Sequence, residues 1–89
     1  MNTYIVSFEL RSQKKRSLEY AITSIASDYC ELHANAWLFT SNRDIKNIKD
    51  ILLSSISNND RIFFSKVSAP YDALLEAKAI DYIKARKLV

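Results

Sequence analysis

From Thr3 to Leu10 the chain alternates, with Tyr4, Val6, Phe8 and Leu10 on one side and Thr3, Ile5, Ser7 and Glu9 on the other. A period of two predicts a strand whose core face carries the first set. The alternation breaks at residues 12–16, which hold a turn and a helix start. Leu18, Ala21, Ile22 and Ile25 then recur at helical spacing and predict a helix over about 14–27. Residues 29–33 and 36–41 read as two strands. Asn35 is the natural hairpin residue between them, since asparagine tolerates positive φ where glycine is absent.

Asn42 is placed to cap a second helix, with Asp44 in its first turn, where a negative charge suits the helix dipole. Ile45, Ile48, Ile51, Leu52 and Ile56 give that helix an apolar stripe ending near residue 56. Ser57-Asn58-Asn59-Asp60 is a turn cluster, and residues 61–67 form a fourth strand. After Ser68-Ala69-Pro70, a third helix is expected from Tyr71 to Lys87, with Leu74, Leu75, Ala79, Tyr82 and Ile83 as its apolar positions. Asp72 and Glu76 lie early in it, and Lys84, Arg86 and Lys87 late.

The order strand, helix, strand, strand, helix, strand, helix predicts an α+β domain. The expected form is a ferredoxin-like βαββαβ antiparallel sheet with two helices on one face, over residues 1–70, extended by a C-terminal helix over 71–89. Some strands are apolar on both faces: Trp37 adjoins Leu38, Phe63 adjoins Phe64, and Ile5 opposes Val6. Either the C-terminal helix or a second copy of the chain should cover the second face. Ile5, Trp37 and Phe63 are therefore the expected homodimer interface.

Composition narrows the chemistry. The 89 residues include no glycine, one cysteine and one histidine. Without glycine there is no P-loop, no dinucleotide-binding turn, no nucleophile elbow and no glycine-bearing RNA-recognition motif. One cysteine excludes an internal disulfide and suits a reducing cytoplasm, the expected location. One cysteine with one histidine cannot build the usual structural zinc site. No apolar run approaches the roughly 18 residues of a membrane span, and the alternation starts at the N-terminus, so neither an anchor nor a secretory leader is expected.

The net charge of +3 is unevenly spread. Arg11, Lys14, Lys15 and Arg16 lie within six residues, and Lys84, Arg86 and Lys87 stand near the C-terminus. Such clusters are either solvated surface or a polyanion site. Cations at a helix start oppose the dipole by about 0.3–1 kcal/mol each, so the first cluster is the expected nucleic-acid contact, for DNA or RNA.

Three segments carry a family resemblance. Tyr4-Ile5-Val6-Ser7-Phe8-Glu9-Leu10 resembles the opening strand of small SinR-like proteins. Ala36-Trp37-Leu38 and Asn59-Asp60-Arg61-Ile62-Phe63 resemble two of their later strands at matching spacing. Those proteins belong with the small CRISPR-associated endonucleases (the second Cas protein) and the virulence-associated protein D toxins. The resemblance covers about residues 3–67. It implies a ferredoxin-like fold, dimerisation through the sheet, and a role as DNA scaffold or metal-dependent nuclease. In catalytic members an Asp at the end of the first strand helps bind a divalent metal. Glu9 matches it here, so Glu9 is the implied catalytic residue and ligand for Mg²⁺ or Mn²⁺. It is one methylene longer than Asp, and a dimer would bring a second copy of it. The competing reading is a strand-end carboxylate paired with Arg11 or Lys14. The family often ends in a fifth strand, whereas the pattern here is helical.

Other residues offer less. His33 could serve as general base with Glu9 or Glu31, or simply be an exposed strand residue. Cys30 reads as an inert thiol, and Ser7 has no visible base partner. Tyr4, Tyr20, Tyr29, Tyr71 and Tyr82 could stack on bases or pack in the core. Three functions fit: a dimeric nucleic-acid-associated scaffold or very weak nuclease, a protein-interaction module engaging a larger protein partner, and a metal-dependent ribonuclease toxin. The first is preferred.

Overall fold

The computed structural model describes residues 1–68 and 76–86. In chain order these form β1 (Asn2–Glu9), α1 (Lys15–Ile25), β2 (Asp28–His33), β3 (Ala36–Ser41), α2 (Ile45–Ser54), β4 (Arg61–Lys66) and α3 (Ala77–Ala85). The protein is thus an α+β domain with one four-stranded antiparallel sheet and three helices among the described residues. The strand order is β2-β3-β1-β4. Since β3 runs antiparallel to both β1 and β2, the strands that α1 joins are parallel and separated by β3. By the same logic α2 joins parallel β3 and β4 across β1.

Strand register decides which side chains share a face, because residues directly opposed project the same way. Val6 opposes Trp37 and Phe64, Tyr4 opposes Phe39, and Phe8 opposes Ile62. These residues meet Leu18, Ala21, Ile22 and Ile25 of α1 and Ile48 and Leu52 of α2 in the main core. Complete burial of Leu18, Ile22, Phe39, Ile48 and Leu52 contributes about 1.5–3 kcal/mol each before conformational entropy is set against it. Tyr4 stacks on Phe39 with ring centroids 5.4 Å apart.

The second face carries Ile5, Leu38, Ala36, Ser7, Phe63 and Ser65. Here α3 packs over β2, burying Ala79 and Ile83, and Leu38 is only 2% exposed. A segment of the same chain therefore covers the β2–β3 side, one of the two covers the sequence allowed. Glu76, expected inside that helix, is extended (φ −62°, ψ 153°) and precedes α3. The expected beginning at Tyr71, with Leu74 and Leu75, and the expected end at Lys87 lie outside the described residues.

Three expectations are corrected. Trp37 does not belong to the second face: it is 8% exposed on the helix-covered side, where Tyr29 stacks on it at 5.4 Å, so it is core and not interface. Asp44 caps α2, not Asn42. Its backbone is extended (φ −74°, ψ 161°) and its carboxylate accepts the Asn47 N–H at 2.8 Å, satisfying a donor at the helix start. The first helix stops at Ile25, because Ala26 turns extended and the Ser27 N–H donates to the Thr40 carbonyl, starting the sheet register of β2.

Candidate nucleic-acid interface

The end of the sheet where β1 finishes is built around Asp60. The residue is 6% exposed, and its carboxylate ties the β1–α1 loop to its own turn. Oδ1 accepts the backbone N–H groups of Arg11 at 2.8 Å and Ser12 at 2.9 Å. Oδ2 accepts the Ser12 hydroxyl at 2.6 Å and the Ser57 N–H at 2.9 Å. The Ser12 hydroxyl, followed by the Ser57 N–H, holds the Asp60 carboxyl far below the usual carboxylate range. The β1–α1 loop is thereby fastened to the turn that opens β4.

The β2–β3 hairpin joins the same end. Ala34 and Asn35 form its two-residue turn, as expected at Asn35, and the Asn35 carbonyl accepts the Phe8 N–H at 3.0 Å. Glu9 of β1 lies opposite Arg61 of β4. The Arg61 guanidinium is steadied through Nη1, which donates to the carbonyls of Asn58 at 3.2 Å and Asp60 at 3.0 Å.

Arg11 and Lys14 therefore stand on an anchored loop, and Lys15 and Arg16 open α1; all four are exposed. The α1 N-terminus has no acidic residue in its first turn and no side-chain cap, so uncapped N–H groups and three cations lie at one helix end. With Arg61, five cations face two carboxylates at this end, Glu9 and Asp60. The excess equals the net charge of the whole chain.

Glu9 pairs with Arg11 at the end of β1. Its Oε1 lies 3.4 Å from Arg11 Nη2, in a pair whose side chains are both about two-thirds exposed. Within one chain the described donors at this end do not gather around a divalent metal. Glu9 contributes one carboxylate, already shared with a cation, while Asp60 commits both oxygens to protein donors. Among the described residues no three His, Cys, Asp or Glu side chains gather as a metal site. His33 is also drawn into local structure: its Nδ1 accepts the Asn35 N–H at 3.3 Å, and it forms no ion pair among the described residues. Cys30 is half-buried and carries a thiol hydrogen bond to the Glu31 carbonyl at 3.6 Å.

The tyrosines divide similarly. Tyr4 is core, Tyr29 lies on Trp37, and Tyr82 is hydrogen-bonded to Asp28. Tyr20 is exposed on α1, and Tyr71 lies outside the described residues. The exposed aromatic on the second sheet face is Phe63. Beside it runs an open groove lined by Ser7, Glu9, Asn35, Arg61 and Phe63.

A second polar cluster sits at the other end of the sheet. Asp28 accepts the Thr40 hydroxyl and the Tyr82 hydroxyl, each at 2.5 Å, and pairs with Arg86 Nη2 at 2.5 Å. Arg86 holds the Asp28 carboxyl down to about 2, with Thr40 and Tyr82 adding to the effect. Burial first, and the Asp28 contact second, push the Tyr82 phenol up to about 12. The Arg86 guanidinium also lies 3.5 Å above the Tyr82 ring. This cluster fastens α3 to β2.

Sequence reasoning missed both carboxylates. Asp60 was visible in a turn cluster and in a segment of the family resemblance, but not as a junction, since its partner Ser12 lies 48 positions away. The i, i+4 spacing of Tyr82 and Arg86 marks one helix face but does not identify Asp28 as its target. No family model, no curated protein and no solved structure matches the chain.

Proposed function

We propose that this is a small nucleic-acid-associated domain that grips phosphate through the cationic end of its sheet, acting as a scaffold and not as an efficient enzyme. The observation that carries the reading is the Asp60 junction. It anchors the loop bearing Arg11 and Lys14 beside the uncapped, cation-opened start of α1 and beside Arg61. Arginine forks and helix N–H groups suit phosphate oxygens, and fixing the loop in advance lowers the entropy lost on binding.

Two further features support it. A four-stranded antiparallel sheet with α1 and α2 packed against one face is compatible with a ferredoxin-like split βαβ arrangement. The resemblance of Tyr4–Leu10, Ala36–Leu38 and Asn59–Phe63 to SinR-like and CRISPR-associated strands points to the same superfamily. Glu9, paired with Arg11 and one methylene longer than the family Asp, argues for a scaffold over hydrolysis. Among the described residues no helix is long and apolar enough to cross a membrane. A cytoplasmic location belongs to this reading.

The test is binding of labelled RNA and DNA across a salt series. The log–log slope should be about −0.9 per duplex phosphate neutralised. The triple replacement Lys14→Ala, Lys15→Ala, Arg16→Ala should weaken all sequences about equally and flatten that slope. No binding at roughly 50 mM salt, where phosphate contacts are strong, would overturn the reading in favour of a protein-interaction module.

A further inference from the structure

Phe63 is 66% exposed although it sits on a sheet face, and the described part of α3 covers only the β2 side of that face. A phenyl ring left in water forgoes the stabilisation of burial. Its surroundings are mixed, with Phe8 and Ile62 contributing to the groove wall beside polar and charged residues. Ser7, Glu9, Asn35 and Arg61 line the same groove, and all four are exposed polar or charged residues. Arg61 is held by two carbonyls, both through Nη1. The groove is continuous, through Glu9 and Arg61, with the end that carries Arg11 and the α1 cations.

We infer that this groove is a docking site for an unpaired nucleotide of single-stranded nucleic acid, with Phe63 stacking on the base and Arg61 contacting the adjoining phosphate. The inference rests on the nucleic-acid reading above and narrows it from polyanion to single strand. A duplex keeps its base faces stacked and offers nothing to an exposed phenyl ring, whereas an unpaired base exposes a π-face that stacking satisfies regardless of sequence. Ser7 and Asn35 supply the hydroxyl and amide groups that meet base edges. The excess of cations at this end complements the strand, and Glu9, already paired with Arg11, opposes it least where that pair persists.

The experiment uses the full chain with labelled single-stranded RNA, single-stranded DNA of the same sequence, and the DNA duplex. Phe63→Ala should weaken both single strands by about 5- to 100-fold, the range of one lost base stack, and leave duplex affinity unchanged. Phe63→Tyr, which keeps the ring, should restore single-strand binding to within about twofold, since stacking needs only the π-face. The RNA and DNA arms identify which strand the groove prefers. Equal losses on strand and duplex, or no loss on either, overturn the inference while leaving the cationic reading intact. Absence of all binding by the unaltered chain overturns both. A fall in molecular mass on Phe63→Ala, with single-strand binding unaltered, overturns it by assigning the face to a second copy.

Discussion

Asp60 and Asp28 stand at opposite ends of the sheet, and each carboxylate joins segments far apart in sequence, but their donors differ in kind. Asp60 is buried and takes three backbone N–H groups and one short hydroxyl. Asp28 has a side chain 49% exposed and takes Arg86, Tyr82 and Thr40, all through side chains. Backbone donors have little freedom of their own, so the Asp60 junction holds a loop at a fixed place. Long side chains lose more entropy when ordered and are screened by water, so the Asp28 cluster is a weaker tie on a helix. The rigid loop thus lies at the Asp60 end and the looser fastening at the α3 end.

Substitutions should separate the two in order of size. Asp60→Ala is expected to cause the largest fall in thermal midpoint of the four changes considered, because it leaves three part-buried N–H groups without their acceptor. It should also weaken nucleic-acid binding by releasing Arg11 and Lys14. An unchanged midpoint, followed by circular dichroism, would contradict the assigned role.

Asp28→Asn comes next, at about 1 kcal/mol once the half exposure of the carboxylate is allowed for. Its pH dependence has a defined sign. The folded pKa, about 2, lies below the ordinary value of 3.8, so the stabilisation is full above the ordinary value and is lost as pH falls toward 2. Denaturant midpoints over that window should fall less steeply in Asp28→Asn than in the unaltered protein. Parallel curves would remove Asp28 from the account. Asp60, depressed by its own donors, should carry the remaining acid sensitivity.

Tyr82→Phe should cost about 0.5–1.5 kcal/mol at neutral pH, the value of one hydrogen bond, and fall toward the low end for a half-buried donor. Here the folded pKa is raised from 10.0 to about 12, so the stabilisation is present below the ordinary value and disappears as pH rises toward 12. Loss of stability across that alkaline window should shrink in the variant, and an identical alkaline profile would contradict it.

Glu9→Gln is expected to do least to the fold, under about 0.5 kcal/mol, since its pair with Arg11 is exposed. Removing its charge should tighten polyanion binding modestly, read as a higher affinity at fixed low salt. A large loss of binding or of a metal-dependent cleavage activity would restore Glu9 as a working carboxylate.

Much of the architecture was determined locally and is therefore legible along the chain. Alternation at Tyr4–Leu10, helical spacing at Leu18–Ile25 and Ile45–Ile56, and the hairpin at Asn35 are consequences of backbone period and turn preference, which act over a few residues. The Arg11–Arg16 cations were equally visible, because charge needs no partner to be read. Tertiary structure alone decided that Trp37 faces the helices while Phe63 faces solvent, since a strand apolar on both sides does not say which face its neighbours will cover. It alone brought Ser12 to Asp60 and Tyr82 with Arg86 to Asp28, contacts spanning 48 and 54 residues. A carboxylate's partner depends on sheet order and helix docking, which arise from burial summed over the whole chain and leave no mark at the residue itself.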